Sequence, residues 1–201
     1  LQWSVRAVIF DAFGTLCELG TKKQVFAKLA RASRRPKDVL YAVMTRPLGL
    51  RAAAAEFAPV SLELEPLEAA LALELDSIRL FPDTLECLIT LNEAGIKIGI
   101  ASNLAQPYAE PLLRILPFRM DCAWSFELGY LKPDPRIFAW ICTEMGVSPA
   151  EVVMVGDTFS TDYVGAISFG MRAIHLDRVG VSRLMAPTIQ TLSKLAGMLR
   201  L

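Results

Sequence analysis

The sequence predicts an α/β fold: a parallel sheet covered by helices on both faces and interrupted by an inserted helical block. Three observations predict it. The apolar run Val5-Arg6-Ala7-Val8-Ile9-Phe10 is short, β-branched and bounded by the turn at Gly14, so it reads as a buried strand. From about residue 79 onward, strand-like and helix-like segments alternate, the pattern of a parallel sheet with crossover helices. Between these two regions, residues 18–78 read as helical.

Each element has a local reason. Pro82-Asp83-Thr84 opens a helix that Gly95 ends, and Ile96-Lys97-Ile98-Gly99-Ile100-Ala101 is a strand. Residues 105–115 read as helical, and Asp121 to Phe126 as a short strand. Pro135 to Met145 forms a helix stopped at Gly146. Glu151-Val152-Val153-Met154-Val155 is a strand followed by Gly156-Asp157. Residues 160–169 are predicted helical, Met171 to Leu176 a strand, and Thr188 to Leu199 a closing helix. No internal repeat or low-complexity tract interrupts the series.

Composition narrows the function classes. With 53% apolar residues and a mean hydropathy of +0.40, the chain can fill a core, which excludes disorder. A formal net charge of zero argues against nucleic acid as a partner. The apolar residues form no stretch of about 18 without charge, so no membrane association is expected. Arg6 and Asp11 break the first apolar run too early for a secretion signal. Cys17, Cys87, Cys122 and Cys142 are widely spaced without a C-x-x-C pair, which points to a reducing cytoplasm and not to zinc or disulfides.

Charge is segregated within the helical block. Residues 22–51 carry nine Lys or Arg against Asp38 alone, and residues 56–93 carry nine acids against Arg79 alone. Two arrangements fit: neighbouring helices with complementary solvated faces, or a basic half that faces the sheet and draws in an anion. The surplus of Leu and Ala in residues 50–75 fits either a subdomain core or a homodimer interface.

Polar groups gather where the strands end. The first strand delivers Asp11 and Thr15; the second delivers Ser102 and Asn103. Lys132 precedes the Pro135 helix, and the next strand delivers Asp157, with Asp162 in the following turn. Each could be a helix cap, a turn former or an exposed loop residue. Capping does not call for acids, hydroxyls and a lysine at successive strand ends, and the carboxyl ends of a parallel sheet share one crevice. Asp11 there is a candidate nucleophile forming a covalent aspartyl intermediate. Asp11 and Asp157 can share a hard cation such as Mg²⁺, with the Phe13 carbonyl as a third oxygen ligand. Thr15, Ser102 and Asn103 can hold the oxygens of a transferring group, and Lys132 can neutralise charge in the transition state. Three acids, Asp11, Asp157 and Asp162, against Lys132 leave the site at −2, so a small anionic substrate needs a divalent cation to approach.

With these segments in order, the chain resembles the haloacid dehalogenase superfamily of hydrolases. The four motifs are Asp11-Ala12-Phe13-Gly14-Thr15, Ser102-Asn103, Lys132 within Gly129-Tyr130-Leu131-Lys132-Pro133-Asp134-Pro135, and Gly156-Asp157-Thr158 with Asp162. The resemblance implies a Rossmann-like core over residues 1–17 and 79–201 and a small helical cap over residues 18–78. It also implies Asp11 as nucleophile, Mg²⁺ as the usual cofactor, and a cap that closes over the crevice.

Phe13 departs from the pattern of the family's phosphatases, which carry a second Asp there to protonate the leaving group. Its loss could cost roughly two to four orders of magnitude in rate. An aromatic followed by Gly-Thr is similar to the L-2-haloacid dehalogenases, where halide leaves without a proton. Those enzymes look metal-free and carry uncharged Ser and Asn in the fourth motif, where this chain has Gly156-Asp157-Thr158. They also place a Tyr where this chain has Phe138, and a cap arginine for which Arg46 is the nearest candidate. The expected activity is Mg²⁺-dependent hydrolysis of a small phosphate ester or acyl phosphate. The alternatives are metal-free halide release and a catalytically weak binding or regulatory protein.

Overall fold

Strand β1 (Ala7–Phe10) is completely buried, and its four side chains alternate between two cores. That is the pattern of a central parallel strand covered on both faces. The computed structural model describes residues 5–59, 61–181 and 185–201. Residues 1–4 and 182–184 of the predicted core and residue 60 of the predicted cap lie outside the described residues.

After β1 the chain forms β2 (Cys17–Leu19) and then four helices, α1 (Val25–Ala32), α2 (Pro36–Thr45), α3 (Leu50–Phe57) and α4 (Glu65–Asp76). It returns through β3 (Ile78–Leu80), which pairs antiparallel with β2. This two-stranded ribbon lies where the sequence predicts only helix. Its pairing joins residues far apart in sequence, as in Glu18 opposite Arg79, so no local periodicity marks it. Glu18 and Arg79 form an exposed ion pair at 2.8 Å.

The alternating part follows. It comprises α5 (Thr84–Glu93), β4 (Lys97–Ser102), α6 (Ala109–Ile115), β5 (Asp121–Trp124), α7 (Ser125–Leu128), α8 (Pro135–Met145), β6 (Val152–Gly156), α9 (Gly165–Phe169), β7 (Arg172–Leu176), β8 (Thr188–Ile189) and α10 (Leu195–Leu199). Six strands form one sheet in the order β5-β4-β1-β6-β7-β8, and every neighbouring pair is parallel. The fold is therefore α/β and Rossmann-like. Val8 and Phe10 pack with Leu88 and Leu91 of α5 and Leu195 and Leu199 of α10. Ala7 and Ile9 pack with Ile137, Phe138 and Ile141 of α8 on the opposite face.

Three predicted elements differ in detail. The strand predicted to Phe126 stops at Trp124 because Ser125 turns the chain into α7. The predicted helix 160–169 begins as a π-helical turn over Phe159–Val164 and becomes α-helical only at Gly165. The predicted final helix 188–199 contains β8, a 3₁₀ turn at Leu192–Lys194 and the short α10. There Thr188 and Ile189 find β7 as a partner, a long-range pairing that overrides local helix preference.

The four helices between β2 and β3 have their own apolar cluster, built on Val25, Leu29, Val39, Val43, Leu50 and Ala53. Ala105 joins that cluster from the segment after β4, and Tyr108 packs against it. No described helix is long and apolar enough to cross a membrane.

Candidate active site

The carboxyl edge of the sheet gathers the predicted polar residues. Asp11 lies one residue beyond β1, and its N–H still donates to the Val155 carbonyl of β6 at 2.9 Å, which locks it to the sheet. Lys132 Nζ donates to Asp11 Oδ1 and to Asp162 Oδ1, each at 2.7 Å. Lys132 and Asp162 are 4% and 1% exposed, so this is a buried ion triad and not a loop lysine reaching into water. The remaining oxygen of Asp162, Oδ2, accepts from the Thr158 N–H at 3.0 Å. Asp157 stands beside them, with Thr15 Oγ1 donating to its Oδ1 at 3.4 Å. One oxygen each from Asp11, Asp157 and Asp162 lie within 4.8 Å of one another.

Two glycines make this crowding possible. Gly14 has φ +90°, and a Cβ on it would lie 2.4 Å from Asp157 Oδ2. A Cβ on Gly156 would lie 2.2 Å from Asp162 Oδ2. The π-helical turn carries Asp162 back to the end of β6, a distortion that recurs at functional sites.

Electrostatics follow from the burial. Burial works against the charge on Lys132, but Asp11 and Asp162 outweigh it and hold the ammonium above its ordinary pKa. Burial raises the Asp162 carboxyl, Asp11 adds to this and Lys132 opposes it. Asp157 is pushed up to about 6, first by burial and then by the charges of Asp11 and Asp162. The three carboxylates therefore repel one another, with one lysine among them.

The remaining predicted residues divide. Ser102 is buried and lines a cavity of about 220 Å³ together with Asp11, Phe13, Lys132 and Asp162. Asn103 lines it too, but its amide is committed to the lysine loop. Its Nδ2 donates to the Lys132 carbonyl at 3.0 Å, and its Oδ1 accepts from the Lys132 N–H at 2.7 Å. The amide predicted to hold substrate oxygens closes a two-bond ring that fixes Lys132 and keeps one N–H beyond it. Phe13 presents its ring edge-on to Tyr108, with centroids 5.9 Å apart. Phe138 is fully buried in the core. Arg46 lines neither this cavity nor the larger one and forms two 2.8 Å bonds to Glu56.

That larger cavity, about 490 Å³, abuts the polar one across Phe13 and Asn103. Its walls are mostly apolar and include Leu19, Phe26, Leu40, Val43 and Phe81, with Lys22 as its one lysine. The charge-segregated halves of the insertion meet through exposed pairs such as Arg46–Glu56 and Arg51–Glu68. Of the nine basic residues in that half, Lys22 is the one on the cavity lining.

Sequence reasoning missed two supports. Arg178, just beyond β7, donates to the Thr15 carbonyl at 2.6 Å and to the Gly14 carbonyl at 3.3 Å. It also pairs with both oxygens of Asp83 at 3.0 Å and lies over the Phe81 ring, 3.8 Å from its centroid. Burial raises the Asp83 carboxyl, but the bonds from Arg178, Thr191 and Leu192 outweigh this and hold it below its ordinary pKa. The strand-end argument that found Asp11 and Asp157 would have found Arg178 had it been carried to β7. The second support is Glu74, 1% exposed, which accepts from the Lys23 and Gln24 N–H groups and from Tyr108 Oη. It ties α4 to the start of α1 and to the sheet.

Comparison with known proteins agrees with this geometry. Residues 5–170 match the family described as haloacid dehalogenase-like hydrolase. The chain is 30% identical over 200 residues to (S)-2-haloacid dehalogenase 4A of Burkholderia cepacia, covering 88% of this chain and 85% of that one. It is 39% identical over 100 residues to glyceraldehyde 3-phosphate phosphatase of Methanothermobacter thermautotrophicus, covering 48% of this chain but only 44% of that relative's length. Among solved structures, a HAD phosphatase from Thermococcus onnurineus superposes with a TM-score of 0.67 at 25% identity, covering 97% of this chain and 98% of that one.

Proposed function

Because the chain belongs to the haloacid dehalogenase-like hydrolases, we propose that it is a Mg²⁺-dependent phosphatase of a small phosphorylated metabolite, with Asp11 as nucleophile. The observation that carries this reading is Asp157. It brings a third carboxylate within 4.8 Å of Asp11 and Asp162, against the single charge of Lys132. Such a site repels every anionic substrate unless a cation joins it. The donors fit Mg²⁺, since all are hard oxygens, and Asp11, Asp157 and the Phe13 carbonyl would hold it. When bound, it supplies charge neutralisation at the phosphoryl oxygens.

The protein's own residues supply the rest. Lys132 holds Asp11 in place through Oδ1 and leaves Oδ2 for attack. Asp162 and Asn103 in turn fix Lys132, one at its ammonium and one at its backbone. Ser102 lines the polar cavity and can receive a phosphoryl oxygen, while the Thr15 hydroxyl, fully buried, steadies Asp157. The helical insertion lies over the crevice as a cap that excludes water during transfer.

A second reading, metal-free release of halide from a 2-haloacid, is favoured by Phe13 and by the similarity over most of the chain to the Burkholderia dehalogenase. Against it, Arg46 is engaged with Glu56, and Phe138 is buried in the core. Phosphate release from a metabolite panel, with and without Mg²⁺, separates the two. Release is expected to need Mg²⁺ and to fall by roughly four orders of magnitude or more in Asp11→Asn. Halide release from 2-chloropropionate without metal, and no phosphate release, would overturn the proposal.

A further inference from the structure

We infer that the leaving group is apolar and of low basicity, so that the substrate is a phosphate carried on an aryl or acyl oxygen with a hydrocarbon body. The inference rests on the phosphatase reading and narrows its substrate. Two features of the chamber beside Asp11 carry it.

The first is what the chamber offers a ligand. Its walls are built by Phe13, Leu19, Phe26, Leu40, Val43 and Phe81. Three of its five polar or charged side chains already have a partner elsewhere. Glu18 is held by Arg79, the Asn103 amide by the Lys132 backbone, and the Tyr108 hydroxyl by Glu74. Lys22 and Asp157 remain, one a cation at an exposed position and the other part of the carboxylate cluster. A sugar or polyol would therefore set most of its hydroxyls against apolar walls, and each hydroxyl left unpaired weakens binding by about 5- to 100-fold. A ring or branched chain loses nothing there.

The second is that an aromatic ring, and not an acid, stands where the chamber meets the polar cavity, while the Lys22 ammonium sits at an exposed position. Phe13 is the residue shared between the polar cavity and the chamber, together with the engaged Asn103. The Tyr108 hydroxyl lies near Phe13 but donates to a buried carboxylate. The leaving oxygen must then depart as an anion. Asp11 Oδ2 attacks phosphorus, the bond from phosphorus to the leaving oxygen breaks, and that oxygen takes the electron pair unprotonated. Water next attacks the aspartyl phosphate, the bond from phosphorus to Oδ2 breaks, and Asp11 and dihydrogen phosphate are released. Only a leaving group that is stable as an anion, a carboxylate or a phenolate, makes the first step fast.

The test compares kcat/KM for four probes with Mg²⁺ present and Asp11→Asn as blank: benzoyl phosphate, phenyl phosphate, cyclohexyl phosphate and glucose 1-phosphate. Phenyl over cyclohexyl phosphate isolates basicity, and an advantage of about 100-fold or more is expected. Cyclohexyl over glucose 1-phosphate isolates polarity, and about tenfold or more is expected. Benzoyl against phenyl phosphate tells an acyl source from an aryl one. Leu40→Asn, at a half-exposed wall position, is expected to shrink the second ratio and leave the first. Phe13→Asp is expected to raise cyclohexyl phosphate turnover selectively. Equal rates within either ratio overturn the inference while leaving the phosphatase reading intact. No Asp11-dependent release from any probe overturns both.

Discussion

Asp157 is the residue at which chemistry and stability pull apart. Its carboxyl is pushed up to about 6 from an ordinary 3.8, so the folded chain keeps this proton to higher pH than the unfolded chain does. Ionising it therefore destabilises the fold. For this group the metal-free protein is most stable below about pH 4 and loses stability as pH rises through 6. Because Asp157 is partly exposed, solvent screening reduces the penalty at pH 7 to roughly 1 kcal/mol. Asp157→Asn should thus raise the metal-free Tm at pH 7 by about 2–4 °C and leave it unchanged near pH 4. On the proposed Mg²⁺ reading, Mg²⁺ should raise the Tm of the parent, and the same variant should lose both that increase and Mg²⁺-dependent turnover. Thermal scans at the two pH values, with and without Mg²⁺, check this. A lower Tm at pH 7 would mean that Asp157 is held by contacts stronger than its repulsion from Asp11 and Asp162.

At the scale of elements, the loop after β1 is held from beyond β7, two strands away in the sheet. Arg178 follows β7, yet it binds the carbonyls of Gly14 and Thr15, while Asp83 at the start of α5 grips its guanidinium. Asp83 also accepts from Thr191 and from the Leu192 N–H. The Arg178–Asp83 pair thereby ties the loop after β1, the start of α5 and the segment before α10 together. Arg178→Met should lower kcat by roughly 10- to 100-fold through misplacement of Asp11 and Thr15, with KM little changed. Arg178→Lys should not restore it, because an ammonium cannot span two carbonyls and a carboxylate as the planar fork does. Steady-state kinetics of the two variants decide this, and an unchanged kcat would reduce Arg178 to a loop anchor. The strands β1, β4 and β6 were legible from their β-branched runs, as was α8 from its Pro start and Gly stop. The ribbon of β2 and β3 was not, since each strand is three residues long and finds its partner across the whole insertion.

For the whole molecule, the sheet edge carries the carboxylate cluster, and the chamber is lined from both sides, by Phe13, Phe81 and Leu104 and by Phe26, Leu40 and Val43 of the insertion. Sheet and insertion are joined by Ser125, whose hydroxyl donates to the Met44 carbonyl at 2.6 Å and accepts from the Leu104 N–H at 2.9 Å. They are joined again by the Tyr108 hydroxyl on Glu74 at 2.7 Å. The insertion leaves and re-enters the sheet region through the paired residues Leu19 and Ile78. Replacing residues 20–77 with a two-residue hairpin turn should therefore leave a folded sheet with its carboxylate cluster. Turnover of phenyl phosphate should persist at a reduced rate, and the preference for cyclohexyl over glucose 1-phosphate should vanish. Circular dichroism and the same kinetic panel test this. A retained preference would move the origin of selectivity from the insertion to the sheet.

The sequence by itself determined what is local or periodic. The apolar period set the strands, and polar residues at their carboxyl ends had to converge, because parallel strands share one edge. Asp11, Ser102, Lys132, Asp157 and Asp162 were legible for that reason. Charge counting likewise reached the excess of acid over base at the site. Tertiary structure alone decided where each side chain pointed. It turned the Asn103 amide onto the Lys132 backbone, sent Arg46 to Glu56, brought Arg178 under the loop of Gly14 and Thr15, and gave the chamber beside Phe13 mostly apolar walls. Those outcomes depend on partners far away in the chain and on the geometry of each bond, neither of which a local pattern carries.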